Sequence, residues 1–195
     1  MKRSLVLSST AMLMAVAALG ASASVQHGAV ARFSARSVEM TSPARLAFRR
    51  VDITVSQWST DLEQRRLGHT LREQGPAGFV NVLCGYPAIG SIEVAGGRAF
   101  TIRYAWQRWD RDGARHVYLG SDEPIVLASG EFRRFVDPEP LYFVELRIDA
   151  HGDGVGRLSD ARRLSFDESR NVIEMRDYDA RPLHLVMVHD ESFAE

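Results

Sequence analysis

Between Asp149 and Asp160 the chain reads "DAHGDGVGRLSD", three aspartates interleaved with three glycines, a spacing that suits either a cation or a phosphate. Scored as a calcium loop, the oxygen positions fall on Asp149, His151, Asp153, the Val155 carbonyl, Arg157 and Asp160, with the required glycine at Gly154. Asp149 and Asp153 suit a hard cation. His151 offers nitrogen, Arg157 brings a positive charge, and Asp160 is one methylene shorter than the usual bidentate glutamate. The preceding "LYFVELRI" alternates as a strand, where a calcium loop needs an entering helix. Scored as a phosphate loop, Gly152, Gly154 and Gly156 give G-x-G-x-G, but the last fingerprint glycine falls on Arg157 and no apolar helical run follows. The stretch is therefore read as a hairpin. Gly152 or Gly154 supplies a positive φ, an aspartate bonds nearby amides, and Gly156 leaves room for a close backbone. The alternative is calcium held by Asp149, Asp153 and Asp160; otherwise no cofactor is expected.

A second constellation is aromatic and basic. "RYAWQRW" supplies Arg103, Tyr104, Trp106, Arg108 and Trp109, with Tyr118, Phe132, Phe135, Tyr142 and Phe143 following. On neighbouring strands these residues can line a pocket, the two arginines binding a carboxylate or phosphate. The competing reading makes Tyr104 and Trp106 core and sets Trp109 over a hairpin end. Arg50, Asp52, Arg103, Glu145 and Arg147 likewise read as a polar site or as cross-strand ion pairs.

Metal and nucleophile chemistry find less support. His184 and His189 are five apart on a predicted strand, which sends them to opposite faces, and no H-E-x-x-H occurs. A metal would need ligands from separate strands, such as His116, His151 and His189 with Asp190. The single cysteine, Cys84, sits in apolar "FVNVLCG" and reads as a buried, inert thiol. No G-x-S-x-G elbow is present. Lys2 is the only lysine, so a P-loop, a Schiff base, a serine–lysine dyad and a lysine-dependent kinase site are excluded from the region that follows it.

These groups must be positioned by the elements around them. The chain opens on Lys2 and Arg3, an apolar run and the small residues Ala21–Ala23, the pattern of a secretory signal cleaved after Ala23. The run is too short to span a bilayer, so a soluble periplasmic or secreted protein with no membrane span is expected. About 170 of the 195 residues remain, the size of one domain. Taking Lys2 and Arg3 from the 24 basic residues leaves 22 against 25 acidic, which gives no reason to expect nucleic acid. Residues 24–45 read as a flexible linker or arm, and residues 46–195 as one β-rich globular domain.

"RRVDITVS" alternates as the first strand. Thr60 with Glu63 forms a capping box that starts a helix running to about Glu73, Gly75 closes it, and Pro76 opens a second helix ending near Gly85. After Gly85 short strands and turns continue to the end, including a turn at "DRDG" and a strand in "IVLAS". The pattern predicts a mainly β (α+β) fold: an antiparallel sandwich or partly closed barrel with a helical hairpin inserted after the first strand.

"WSTD", "RYAWQ", "DRDG", "SDEPI" and "ELRIDAHGDGVG" together resemble a group of exported bacterial proteins of unknown function, over most of Val51 to Val188. The group often has arginine at the position of Glu123, so no charged site carries over there. The resemblance implies export and a single β-rich domain, and carries no activity. The function expected is a non-catalytic exported binding or envelope-associated accessory protein, its partner an envelope protein or a small ligand. The alternatives are a metal-dependent hydrolase and a small-ligand carrier with an aromatic pocket.

Overall fold

A computed structural model describes residues 29–42, 45–123, 141–160, 164–175 and 183–193. The expected signal sequence lies outside them, as do the strand in "IVLAS" and the segment that holds Phe132 and Phe135. The fold is mainly β. Strands β1 (Ala31–Ser42) and β2 (Arg45–Val55) precede helix α1 (Asp61–Leu83). Strands β3 (Gly90–Val94), β4 (Ala99–Ile102), β5 (Tyr104–Trp109) and β6 (Arg115–Ser121) follow the helix. Then come β7 (Tyr142–Ile148), β8 (Asp153–Asp160), β9 (Leu164–Asp167), β10 (Val172–Met175) and β11 (Leu183–Asp190).

Nine strands form one antiparallel sheet in the order β4-β3-β2-β1-β11-β8-β7-β6-β5, and β9 and β10 form a separate hairpin. The sheet's two end strands, β4 and β5, are joined by Arg103 alone, whose amide donates to the Gly120 carbonyl at 3.0 Å. The sheet therefore curls until its ends meet in the sequence itself, a nearly closed barrel.

The segment expected to be a flexible arm is largely strand β1, paired with β2 on one side and β11 on the other. Its alternation is faint in the sequence because three of its inward residues, Ala31, Ala35 and Ser37, are small; only Phe33 marks the buried face. "RRVDITV" is consequently the second strand, and the helix follows it. The capping box forms as expected: Thr60 Oγ1 accepts from the Glu63 amide at 3.2 Å, and Glu63 accepts from the Thr60 amide at 2.7 Å. Gly75 (φ 71°, ψ −170°) interrupts the helix and Pro76 begins its continuation, so the two expected helices are one element broken at Gly75.

The sheet has two covered faces. Inside the barrel, Phe33, Ile53, Ile92, Ile102, Leu119 and Leu146 pack into a core with little or no exposure. Outside, α1 and the β9–β10 hairpin cover part of β5, β6 and β7, burying Leu67, Phe79, Tyr104, Phe143 and Ile173 together. Gln64 ties these layers: it accepts from the Tyr104 hydroxyl and donates from Nε2 to the Asn171 carbonyl at 2.9 Å.

Near the turns Asp110–Gly113 and Asp149–Gly152 the barrel is closed by charge. Arg115 donates from its NH1 nitrogen to Asp190, and the two side chains are 7% and 0% exposed. The guanidinium carbon lies 5.2 to 5.4 Å from the rings of Phe33, Trp58 and Trp109, within cation–π range. Arg115 Nε also donates to Gln107 at 2.8 Å, while Asp190 accepts from the Ser192 amide at 3.0 Å. Removing one partner leaves a buried charge without its counterion, which costs about 3–5 kcal/mol, whereas an apolar pair of similar volume is tolerated. Asp190→Ala is therefore expected to lose about that much stability in urea unfolding, and the double variant Arg115→Met with Asp190→Leu to recover most of it.

Candidate functional site

Pairing across β5, β6, β7 and β8 fixes which side chains meet on the outer face. One cross-strand row runs Arg108, His116, Arg147, Val155, and the next runs Trp106, Tyr118, Glu145, Arg157, His184. Directly opposed residues on neighbouring strands place their Cβ atoms about 5 Å apart. The β9–β10 hairpin borders these rows with Arg170 and Glu174, and a cavity of about 590 Å³ lies between them, open on one side.

The groove gathers guanidinium groups that differ in how firmly they are held. Arg157 donates to Glu145 from Nε at 2.7 Å, and Glu145 also accepts from the Met175 amide at 3.1 Å, which fastens the hairpin to the sheet. Arg108 lies 2.7 Å from Asp110 and reaches the Tyr118 hydroxyl at 3.5 Å. Its partial burial disfavours the charge, but Tyr118 and Asp110 outweigh that and raise its pKa. Arg147 meets Asp112 at 3.7 Å with both side chains mostly exposed, and Arg170 meets Glu174 at 3.5 Å and Asp167 at 4.0 Å. Ion pairs so long and so wet contribute about 0–1 kcal/mol, so an incoming anion replaces them at little cost.

Of the five residues of "RYAWQRW" expected to bind a ligand, only Arg108 lines this groove, joined by Tyr118 from the aromatic set that follows. Arg103 pins the barrel seam, donating to Asp122 at 2.8 Å and to the Tyr86 carbonyl at 2.7 Å. Tyr104 is fully buried under α1 and stacked on Phe143, and burial pushes its hydroxyl pKa well above the ordinary value. Trp106 packs against the same outer core. Trp109 is 54% exposed and covers Arg115 at the barrel end. Unbroken strand alternation would put Phe100, Ile102, Tyr104 and Trp106 on one face; the step at Arg103 instead sends the first pair into the barrel and the second pair outside.

The three aspartates expected as calcium ligands do not converge. Asp149 and Asp153 flank a tight turn, but Asp160 stands at the far end of β8, seven residues or about 23 Å from Asp153. The stretch is a hairpin turn followed by a strand. Asp149 Oδ1 accepts from the amides of His151 at 2.8 Å and Asp153 at 3.1 Å, and Gly152 takes φ 90°. A Cβ at Gly154 would stand 2.1 Å from the Arg147 carbonyl, so close strand approach excludes a side chain there.

The scattered metal set is not assembled either. Asp190 is committed to Arg115, His116 Nε2 pairs with Asp110 at 2.8 Å, and His189 Nδ1 pairs with Asp153 at 3.1 Å. Among the described residues no three histidine, cysteine, aspartate or glutamate side chains are gathered to hold a metal ion. His184 and His189 share the outer face instead of opposing one another, because β11 carries a bulge between Leu185 and Val188. Cys84, expected to be buried, is exposed at the end of α1; what shielding it has, with Asp122 nearby, raises its pKa.

No family model matches the chain, and no curated protein or solved structure matches it.

Three carboxylates at turns are held below their ordinary pKa. For Asp149 the amide of His151 leads, for Asp167 the hydroxyl of Ser169 leads, and for Asp110 some desolvation is outweighed by His116 and Arg108. A carboxylate with a depressed folded pKa contributes stability above its unfolded value near 4, and that contribution is lost as pH falls through the lower folded value. Stability in urea is therefore expected to fall as the pH is lowered below about 4. Asp149→Asn keeps the acceptor oxygen without the titration and is expected to flatten part of that fall.

Proposed function

We propose that the protein is a non-catalytic, exported binding protein whose outer groove takes a small anionic ligand. The observation that carries this reading is the convergence of Arg108, Arg147 and Arg170 from three separate elements on one cavity, two of them in long, exposed ion pairs. Guanidinium groups stay charged at every working pH and present paired donors to a carboxylate or phosphate, which suits binding and orientation more than proton transfer. His116 sits beside Arg108 on the neighbouring strand and lines the same cavity. The secretory pattern of residues 1–23 supports export.

A carrier with its ligand inside the barrel is less well supported, because the interior is packed by Phe33, Ile53, Ile92 and Leu119 and its end is held by the Arg115–Asp190 pair. Calorimetry with inorganic phosphate tests the groove. Binding is expected to weaken as sodium chloride is raised. Arg108→Ala and Arg170→Ala are each expected to weaken it about tenfold, the value of one charge-assisted hydrogen bond. Arg32→Ala, on the exposed face of β1, is expected to leave it unchanged. Absence of heat from the parent protein, or equal losses in all three variants, would refute the reading.

A further inference from the structure

The outer row that begins with Arg108, His116 and Arg147 does not stay polar. Its next member, on β8, is Val155, which is 59% exposed. Beyond Val155 comes the bulge of β11. Leu185 pairs with Gly156 and Val188 with Gly154, so Val186 and Met187 together face the single residue Val155. Leu185 and Val188 both belong to the barrel core, and the extra residue between them leaves Met187 69% exposed next to Val186, which lines the groove. Met187 holds this place at φ 51°, a left-handed conformation that a residue with a Cβ adopts only at a cost. A glycine would relieve that cost, and a polar residue would suit the exposure better. The chain instead sets an exposed thioether beside two valines at the end of a row that carries two arginines and a histidine.

We infer that the groove's ligand is an amphiphilic anion, a phosphate or carboxylate head carrying an alkyl chain. The inference rests on the groove being the binding site. The head lies against Arg108 and Arg147, and the chain runs over Val155 to Val186 and Met187. From β7 across β8 to β11 is two strand spacings, about 10 Å, which an extended chain of about eight carbons covers. Water leaves Val155 and Met187 only when such a chain is present, so the chain adds affinity that the head alone cannot supply.

Calorimetry with inorganic phosphate, butyl phosphate, octyl phosphate and the neutral octyl glucoside tests this. Affinity is expected to rise about two- to fourfold per added methylene between the butyl and octyl compounds, and octyl glucoside to bind at least about tenfold more weakly than octyl phosphate. Met187→Gly is expected to lower octyl phosphate affinity while leaving phosphate affinity unchanged and the Tm equal or higher, a combination that a purely structural role for Met187 would not give. Val155→Thr, which keeps the β-branched shape and adds a hydroxyl, is expected to lower the octyl-to-phosphate affinity ratio in the same direction. Equal binding of octyl phosphate and inorganic phosphate, or an affinity ratio untouched by both variants, overturns the inference and leaves the anion-binding groove standing. Failure of every anion to bind overturns both. Vesicles of phosphatidic acid in phosphatidylcholine separate the sources of such a molecule. Co-sedimentation assigns a bilayer lipid, octyl phosphate binding without co-sedimentation assigns a free amphiphile, and either meets the proposal.

Discussion

Arg115 and Asp190 meet inside the barrel end, where taking two charges out of water costs several kcal/mol per ion unless partners replace the lost solvation. Those partners come from most of the fold. Phe33 is on β1, Trp58 precedes α1, Gln107 and Trp109 are on β5, and Ser192 lies in the turn that follows β11. The pair therefore holds only when β1, β5, β6 and β11 are all in register. Phe33, Ile53 and Leu119 pack inside the barrel whose end this pair occupies, while the cavity lined by Arg108, Arg147 and Arg170 lies on the outer face.

On that face the same strands must serve two environments. Toward α1 they carry Tyr104, Tyr118 and Phe143, which pack under the helix and the β9–β10 hairpin. Toward the Asp110–Gly113 turn they carry Arg108, His116 and Arg147. Glu145 stands at the boundary: it binds Arg157 in the next strand and the Met175 amide in the hairpin, so one carboxylate joins the buried half to the open half. The hairpin's Arg170 and Glu174 form the groove's border on that side.

Much of this was legible in the sequence, and the misses share causes. Strand β2, the capped helix, the break at Gly75 and the DRDG turn carry strong local signals and appear where they were expected. Strand β1 carries little signal because Ala31, Ala35 and Ser37 bury small side chains, and a hydrophobic alternation needs large ones to be visible. The site was half legible. Proximity in sequence groups Arg103, Tyr104, Trp106 and Trp109 with Arg108, but the reversal at Arg103 disperses those four to the seam, the outer core and the barrel end. Arg170 and Glu174 reach the groove from a hairpin distant in sequence, which packing with α1 and the Glu145 bond to the Met175 amide hold against the sheet, and composition does not show such a tertiary placement.

The bulge in β11 shows how one inserted residue reaches two scales. Without it the strict two-residue period would send His184 and His189 to opposite faces and leave Met187 and Val188 to alternate. With it, Val188 and Asp190 both point inward, so the barrel core and the ion pair are kept, while Val186, Met187 and His189 remain on the outside. The positive φ at Met187 is the local cost of keeping both faces correct at once. Gly154 and Gly156 on the partner strand β8 fit the same requirement. They carry no Cβ where Arg147 and Leu146 of β7 approach closely, so β8 packs tightly between a regular strand on one side and a bulged strand on the other. The glycines that first suggest a cation or phosphate loop are thus the means by which a strand is seated beside the bulge that shapes the groove's apolar edge.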